Sequence, residues 1–517
     1  MQADKDKEAV VTKGLKENIE VNLKRYEKVI DYVLPFIVVV SLLLIKFAFA
    51  FNMDSDPLWS IAVGEWIHTN GTVPLVDHFS WTVAGERWYS NSWLFCWLMY
   101  LADQSMGYLG IALIVFIPCL VTGYFLYFTC KRFNNSTFSI LVFLFSTSLL
   151  LLLSITPRAY IYTFAFVAIV MYLVRFKRNS HYIYLIPLIF LLWANVQNSM
   201  SFGIAILFFE ALAGTIFHKE KKLWLILGLS VLVTLINPYG IGMWVISLSV
   251  PFDTSSQFIS EWKAPDFNEW AWLVLYGFLF LIGLLGLSRA KDDINNKRID
   301  RDKIMILFWF CLAFIYSLTA VRALSYVFLL LGPCFSAYAT KEEREAFFLK
   351  PVTLVFVLLL FVTSMMTALP ELPLSFDSRS GKPMYFVDYI LETPALNENV
   401  EHVFPVGGVN YLLDNPSKKS NLFNSYIYGG YLMINEIDVF IDARFTVFAR
   451  NNIAEAHSDL VNLKKNPDSI IEEYGIDIFL ITAETALSHY LDVHPEWVKQ
   501  YEDDISVVFT KNVEKAY

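Results

Sequence analysis

Residues 108–129 read YLGIALIVFIPCLVTGYFLYFT, a run of 22 positions without a charged side chain. An α-helix needs about 20 predominantly apolar residues to cross the hydrocarbon core of a bilayer, so this stretch predicts a membrane-spanning helix. The whole chain has the same character. Of its 517 residues, 56% are hydrophobic and only 17% are charged, whereas soluble domains carry about 25% charged residues.

Further stretches of this kind occur throughout the first 369 residues. Together with the first they cover approximately residues 32–51, 108–129, 137–154, 159–175, 182–197, 200–217, 223–243, 270–288, 304–320, 323–340 and 351–369. The segment 182–217 has Asn195 and Gln197 in its middle, which favours a tight helical hairpin over a single long helix. We therefore expect a polytopic α-helical membrane domain of about 11 spans over residues 32–369, after a short segment, 1–31.

Basic residues are concentrated in every second loop between these stretches. They are Lys24, Arg25, Lys28, Lys131, Arg132, Arg175, Lys177, Arg178, Lys219, Lys221, Lys222, Arg289, Lys291, Lys297, Arg298, Arg301, Lys303, Lys341, Arg344 and Lys350. Such an excess of Lys and Arg is typical of cytoplasmic loops. We expect a multi-pass protein of the cell membrane with a cytoplasmic N-terminus, long outer loops at 52–107 and 244–269, and residues 370–517 outside. A single helix at 182–217 would invert the later loops, against this rule.

Residues 370–517 differ in composition from the rest. They carry 23 acidic and 11 basic residues, a net charge of −12, within a chain of net charge −9. Short β-like runs at 437–441, 476–482 and 505–510 alternate with helical runs at 386–391 and 453–463, which predicts an extracytoplasmic α/β domain. The acidic balance excludes a generic nucleic-acid binder. The five cysteines all precede residue 370 and form no zinc or disulfide pattern.

Ionisable residues occur where the outer membrane face is expected. They are Asp54, Asp56, Asp77, His78, Arg158, Glu261 and Arg322. Charges at membrane depth are costly and mark polar cavities. Carboxylates deprotonate hydroxyl groups or bind divalent cations, and arginines hold phosphates. No nucleotide-binding, metalloprotease or serine-hydrolase motif occurs in a supporting context, so this set best suits transfer from a lipid-phosphate donor.

Plainer interpretations of the same residues stay open. Asp54 and Asp56 precede Pro57 and would also serve to cap the helix of the amphipathic stretch that follows. Arg158 and Arg322 would also extend along apolar surface toward lipid headgroups without binding a substrate.

Two stretches, 54–67 (DSDPLWSIAVGEWI) and 71–82 (GTVPLVDHFSWT), resemble the first outer loop of bacterial GT-C-class membrane glycosyltransferases. Within that class the chain is similar to the family-39-like group, also described as dolichyl-phosphate-mannose–protein mannosyltransferase-like. The resemblance continues through 157–158 (PR), 193–195 (WAN), 237–240 (NPYG), 261–262 (EW), Arg322, 423–426 (FNSY), 429–432 (GGYL) and 439–444 (VFIDAR). The chain departs from the better-known mannosyltransferases in lacking their Asp-Glu pair in this loop.

The resemblance implies roles for the charged residues in catalysis. In GT-C enzymes an acidic residue of the first outer loop is the expected catalytic base or metal ligand, which falls here on Asp54, with Asp56 second. Arg158 and Arg322 would then hold the phosphate of the leaving lipid.

Further residues are assigned to substrate and metal binding on the same basis. Asp77 and His78 are candidate substrate-binding residues, and Glu261 would shape the pocket or help to bind a cation. The one cofactor expected is a divalent cation, Mg or Mn, whose candidate ligands are Asp54, Asp56 and Glu261.

The C-terminal motifs have two interpretations. As outer domains are thought to do in some GT-C enzymes, they would dock the acceptor through Tyr426, Asp442 and Arg444. Alternatively, Gly429 and Gly430 form a turn that needs permissive backbone angles, and the Asp442–Arg444 pair is structural.

The sequence thus predicts a membrane glycosyltransferase, transferring a hexosyl or pentosyl unit. Its expected donor is a sugar linked to polyprenyl phosphate, and its expected acceptor is a hydroxyl of a cell-envelope glycan, lipid or protein. The alternatives are a transporter, flippase or export component for lipid-linked saccharides, and a GT-C scaffold without activity that binds a partner. Against transport, the sequence shows no paired broken helices in matching halves.

Overall fold

The computed structural model describes residues 55–133, 156–249, 260–339, 404–415 and 421–512, two short strands at 373–376 and 383–385, and a few single helical positions near the N-terminus and around residue 145. The predicted segment 1–31, Asp54 and the predicted span 351–369 lie outside the described residues. The count of 11 spans therefore stays a prediction.

Helices make up the described chain before residue 340. They are α1 (Ser55–Asn70), α2 (Trp93–Phe133), α3 (Ile161–Phe176), α4 (Ile186–Val196), α5 (Met200–His218), α6 (Lys222–Val233), α7 (Gly242–Ser249), α8 (Trp270–Asn295), α9 (Arg301–Ser317) and α10 (Leu324–Tyr338). Four segments of the described chain are long and apolar enough to cross a membrane: Gly110–Phe133, Met200–His218, Trp270–Asn295 and Val321–Tyr338.

Helix α2 is kinked at Gly107, whose backbone angles are φ 54° and ψ −136°. A positive φ is tolerated best by glycine, which has no Cβ. The kink separates the amphipathic part of the helix, which the sequence places in the outer loop, from the apolar part that is long enough to span.

The segment 182–217 is broken rather than continuous, as the hairpin interpretation predicts. Helix α4 ends at Val196, Gln197 is extended, and α5 begins at Met200. The Asn195 side chain fixes this break, because its amide donates to the Ile236 carbonyl (3.0 Å) and accepts from the Trp93 indole (3.0 Å). This polar residue within an apolar stretch thus connects three segments through its hydrogen bonds.

The C-terminal part contains helices and a four-stranded sheet. Its elements are α11 (Val406–Asp414), β3 (Leu422–Asn424), α12 (Gly429–Ile434), α13 (Phe445–Arg450), α14 (Ile453–Val461), α15 (Pro467–Tyr474), β4 (Ile478–Thr482), α16 (Ala486–Val493), β5 (Trp497–Glu502) and β6 (Ser506–Lys511). The sheet order is β3-β4-β6-β5, with β3 parallel to β4 and the other pairs antiparallel. The strands β1 (Pro373–Phe376) and β2 (Pro383–Tyr385) form a separate antiparallel pair.

One expected strand of this part pairs elsewhere. The apolar run 437–441 does not join the four-stranded sheet but forms an isolated parallel bridge to the outer loop, between Val439 and Ser80. Val439 donates to the Phe79 carbonyl at 3.1 Å and accepts from the Trp81 amide at 3.2 Å. The segment that pairs with this run thus lies about 360 residues earlier in the chain. The local sequence pattern cannot indicate so distant a partner.

The C-terminal part also docks on α1. Helix α12 lies against α1, and the Gly430 amide donates to the Ser55 hydroxyl at 3.0 Å. A Cβ at Gly430 would clash with the Ser55 carbonyl. Gly429 has ordinary helical angles (φ −54°, ψ −46°), so the interpretation of these glycines as a turn is wrong. Gly430 is needed because α12 approaches α1 closely, whereas a Cβ at Gly429 would clash with the Ile441 carbonyl and with Asp442.

Candidate active site

Asp56 begins the candidate site in the first turn of α1. Its Oδ1 accepts a hydrogen bond from the Trp59 indole nitrogen at 2.9 Å, and its Oδ2 lies 2.7 Å from the Arg158 Nε. The indole, one helical turn later, fixes the orientation of the carboxylate. Asp56 therefore does more than occupy the start of a helix, since it pairs with a residue about 100 positions away.

Arg158 bridges two carboxylates from different segments. It lies in the turn before α3, and its Nη1 donates to the Glu261 Oε1 at 3.1 Å while its Nε faces Asp56. Glu261 itself is held in a short 3-10 turn, Ser260–Trp262. The first outer loop, the turn before α3 and the second long loop thus meet at one guanidinium group.

Arg322 completes this group of charges from a fourth segment. Its Nη1 is 3.6 Å from the Glu261 Oε2, and its guanidinium lies over the rings of Tyr160 (4.6 Å) and Trp262 (5.3 Å). Contacts with aromatic faces stabilise a cation while leaving its edge free for an anion. The Val321 amide donates to the Lys263 carbonyl at 2.9 Å, which holds the two loops together.

We call these four residues, Asp56, Arg158, Glu261 and Arg322, the Arg158 cluster. Their side chains are 22% to 44% exposed, so a ligand can reach them. Two carboxylates and two guanidinium groups balance in charge. The fold thus brings together four residues that the sequence identifies separately, in three loops and one turn.

The described residues do not provide a ready site for a divalent cation. Asp56 and Glu261 are oxygen donors of the kind that Mg²⁺ prefers, but both are paired with Arg158. Within the described ranges no group of three His, Cys, Asp or Glu side chains is placed to hold a metal. The third candidate ligand, Asp54, lies outside these ranges.

A second group, the Arg444 cluster, consists of Asp77, Asp442 and Arg444. The Arg444 Nη2 donates to the Asp442 Oδ2 at 2.6 Å, its Nε donates to both Asp442 oxygens, and its Nη1 donates to the Asp77 Oδ1. All three side chains are almost completely buried. This group connects the first outer loop to the C-terminal part.

Aromatic rings enclose the Arg444 cluster. The guanidinium lies 4.7 Å from the centroid of Trp88 and 4.9 Å from that of Phe79. Burial raises the pKa of Asp442 although Arg444 opposes the shift, and the two carboxylates raise the pKa of Arg444 against the effect of its burial. The geometry is that of the structural ion pair considered for Asp442 and Arg444. A role of Asp77, Asp442 or Arg444 in substrate or acceptor binding stays a prediction.

The other candidates lie near the surface. His78 is exposed and stacks on Trp66 at 4.8 Å between ring centroids. Tyr426 is half-buried in the 3-10 turn Tyr426–Tyr428. Sequence reasoning missed Tyr160 and Trp262 as partners of Arg322. Their only signal was that each is close in sequence to a charged candidate, Arg158 or Glu261.

Comparison with solved structures identifies the fold. The oligosaccharyltransferase AglB from Archaeoglobus fulgidus, in complex with an inhibitory peptide and a dolichol-phosphate, aligns over 96% of this chain and 75% of its own, with TM-score 0.54 and 13% identity. The same organism's enzyme in complex with Zn and sulfate aligns over 92% of this chain and 73% of its own, with TM-score 0.50 and 14% identity.

A third alignment is weaker. ArnT from Cupriavidus metallidurans bound to undecaprenyl phosphate aligns over 93% of this chain and 98% of its own, with TM-score 0.42 and 12% identity. No protein-family profile matches the sequence, and no curated protein matches it significantly. The chain therefore has the fold of the GT-C class of multi-pass membrane glycosyltransferases, which confirms at the level of fold the resemblance found in its sequence.

Proposed function

We propose that the chain is a membrane glycosyltransferase that transfers a sugar from a polyprenyl-phosphate-linked donor to an acceptor hydroxyl at the outer membrane face. The observation that carries the proposal is the Arg158 cluster, in which residues from four segments converge at an accessible position. Two further observations support it. A solved structure with a similar fold contains a dolichol-phosphate, and the two guanidinium groups of the cluster suit the phosphate of such a lipid.

The two arginines would bind the donor phosphate. In the transfer, the acceptor oxygen forms a bond to the anomeric carbon while the bond from that carbon to the phosphate oxygen breaks. The departing phosphate gains negative charge, and Arg158 and Arg322 would stabilise it. Preorganised charges of this kind account for large parts of enzymatic rate enhancements, typically about 10²–10³-fold for a single donor.

The catalytic base that accepts the acceptor's proton is Asp54 in this proposal, with Asp56 second. The Asp56 Oδ2 lies 2.7 Å from the Arg158 Nε. Binding of the donor phosphate to Arg158 would compete with that ion pair and release the Asp56 carboxylate. The donor would thus prepare the site before the acceptor reacts.

The test is turnover of a radiolabelled polyprenyl-phosphate sugar by the purified full-length chain in lipid vesicles. We expect Asp54→Asn, or else Asp56→Asn, to abolish sugar transfer, because the amide cannot accept the proton. Glu65→Gln is the matched control, since Glu65 is an exposed carboxylate on the same helix. Normal transfer by both variants would contradict the catalytic assignment. Movement of the intact donor across the vesicle membrane without bond cleavage would favour the flippase alternative.

A further inference from the structure

A cavity of about 390 Å³ lies beside the first outer loop, outside the Arg158 and Arg444 clusters. It is bounded by the loop residues 87–91, by the segment 239–249, which includes α7, and by α13 of the C-terminal part. Its lining includes Arg87, Tyr89, Tyr239, Ile241, Val245 and Arg450. Small-molecule sites typically have volumes of about 300–1,000 Å³.

The cavity carries two positive charges that the described chain does not neutralise. Arg87 and Arg450 are both exposed, and no carboxylate among the described residues forms an ion pair with either. Arg87 only lies over the Tyr89 ring, 5.2 Å from its centroid. By contrast, Arg158, Arg322 and Arg444 all have carboxylate partners. Two guanidinium groups around one cavity, neither of which has a carboxylate partner in the described part of the chain, favour an anionic ligand, above all a phosphate.

One wall of the cavity is rigid. The rings of Tyr89 and Tyr239 lie 4.8 Å apart, and the Tyr239 hydroxyl accepts from the Ser90 amide and donates to the Pro74 carbonyl. Tyrosines with an apolar ring and an anchored hydroxyl are typical of the boundary between lipid and water. The wall therefore suits a ligand located at that boundary.

Two further lining residues belong to a surface that suits lipid contact. Ile241 and Val245, which line the cavity, are 68% and 64% exposed. The same exposure continues along α6 and the following turn to Leu232 (62%) and Ile236 (63%). In a fold of membrane proteins, a run of exposed apolar side chains of this kind faces acyl chains.

We propose that this cavity binds the headgroup of an anionic phospholipid, with its phosphate between Arg87 and Arg450 and its acyl chains along Ile241 and Val245. The site is separate from the proposed donor site, and the proposal does not depend on transferase activity. Binding would hold the outer loop, α7 and α13 together at the membrane surface.

The experiment measures lipid retained by the full-length protein after extraction from mixed phosphatidylcholine and phosphatidylglycerol vesicles, by native mass spectrometry. Each basic side chain near an anionic lipid contributes about a fivefold factor in binding. The double variant Arg87→Gln/Arg450→Gln should therefore retain about 30-fold less phosphatidylglycerol, with phosphatidylcholine unchanged. Arg298→Gln, an exposed arginine in the loop before α9, should retain as much as the parent.

Three outcomes would overturn the proposal. They are unchanged phosphatidylglycerol in the double variant, equal retention of both lipids by the parent, and full displacement of the lipid by soluble glycerol phosphate. The last would assign the cavity to a free anion. Arg87→Lys/Arg450→Lys keeps both charges and should restore most of the binding, which separates loss of charge from misfolding.

Discussion

Two groups of charges lie at opposite ends of α3 and α9 and differ in access. The Arg158 cluster is at the start of α3 and the end of α9, and its side chains are partly exposed. The second group, which we call the Glu210 cluster, consists of Arg175, Glu210, Arg301 and Trp309. Arg175 is in the last turn of α3 and Arg301 is the first residue of α9. From the first residue of α3, Ile161, to Arg175 the helix rises by about 21 Å at 1.5 Å per residue.

The Glu210 cluster is built without access for a ligand. Glu210 accepts from Arg175 at 2.6 Å, from Arg301 at 3.1 Å and from the Trp309 indole at 3.2 Å, and its side chain is fully buried. In the Arg158 cluster the Arg158–Glu261 and Arg322–Glu261 contacts are 3.1 and 3.6 Å. The comparison shows that the same residue types are sealed inside the packing at one end of these helices and accessible to a ligand at the other.

The largest effect on stability is expected from Glu210→Gln. The substitution removes the carboxylate that forms hydrogen bonds with the buried Arg175 and Arg301, and breaking a buried pair costs about 3–5 kcal/mol. Glu261→Gln, in the exposed cluster, should cost about 1 kcal/mol or less. Thermal unfolding of both purified variants in the same detergent measures the difference. Equal midpoints would show that the Glu210 and Arg158 clusters contribute equally to stability.

The next effect concerns activity. Arg158→Gln should lower sugar transfer by about 10²–10³-fold, because a charge that stabilises the leaving phosphate is lost. The unfolding midpoint should change little, since the side chain is partly exposed. Turnover and unfolding measured on one preparation provide the check. A variant that transfers sugar normally would place the catalytic charges elsewhere.

A smaller effect is expected from the contact between α12 and α1. Gly430→Ala places a methyl group against the Ser55 carbonyl and should cost about 1–3 kcal/mol, the usual penalty of overpacking. It should also lower turnover, because Asp56 follows Ser55. Gly228→Ala is the matched control, since a Cβ at Gly228, also in a helix, meets no atom within 4 Å. If both variants unfold alike, the close approach of the two helices is not required.

The smallest expected effect is the pH dependence of stability that is due to the buried imidazole of His457. His457 stacks on Phe423 at 5.1 Å, and burial lowers the pKa of its imidazole to about 4. In the unfolded chain the pKa of a histidine is about 6.5. The stabilisation that the neutral, packed His457 gives the folded chain is therefore complete above pH 6.5 and is lost as the pH falls toward 4. At about pH 5.5 the loss should be about 1 kcal/mol.

His457→Gln serves to isolate this contribution. Glutamine can still donate to the Asn424 carbonyl, which lies 3.1 Å from the His457 Nε2, but it does not titrate. The difference between the unfolding midpoints of parent and variant should therefore shrink between about pH 7.5 and about pH 5.5. A constant difference would mean that the pKa of His457 is the same in the folded and the unfolded chain.

The sequence allows the Arg158 cluster to be predicted better than its surroundings. Asp56, Arg158, Glu261 and Arg322 are identified because charges at the ends of apolar spans are rare. The rings around Arg322 depend on tertiary contacts that no local pattern indicates. Glu210 has a comparable signal in the sequence, since it is an acid inside an apolar stretch.

The fold shows the same division between local and distant information. The break at 197–199 follows from polar residues within an apolar run. The pairing of Val439 with Ser80, and of Asp77 with Arg444, joins segments more than 350 residues apart. Such pairings follow from the complete fold, because the partner of each residue is chosen from the whole chain.

The hydrogen bond between Ser55 and Gly430 has a consequence for the timing of synthesis. The two residues are 375 positions apart, so α1 leaves the ribosome long before the helix that fixes its first turn. Contacts of this separation form late, after the loop between them has closed. The nascent chain would therefore enter the membrane with an unfinished site, and Asp56 would reach its final position only after the C-terminal part has folded against it.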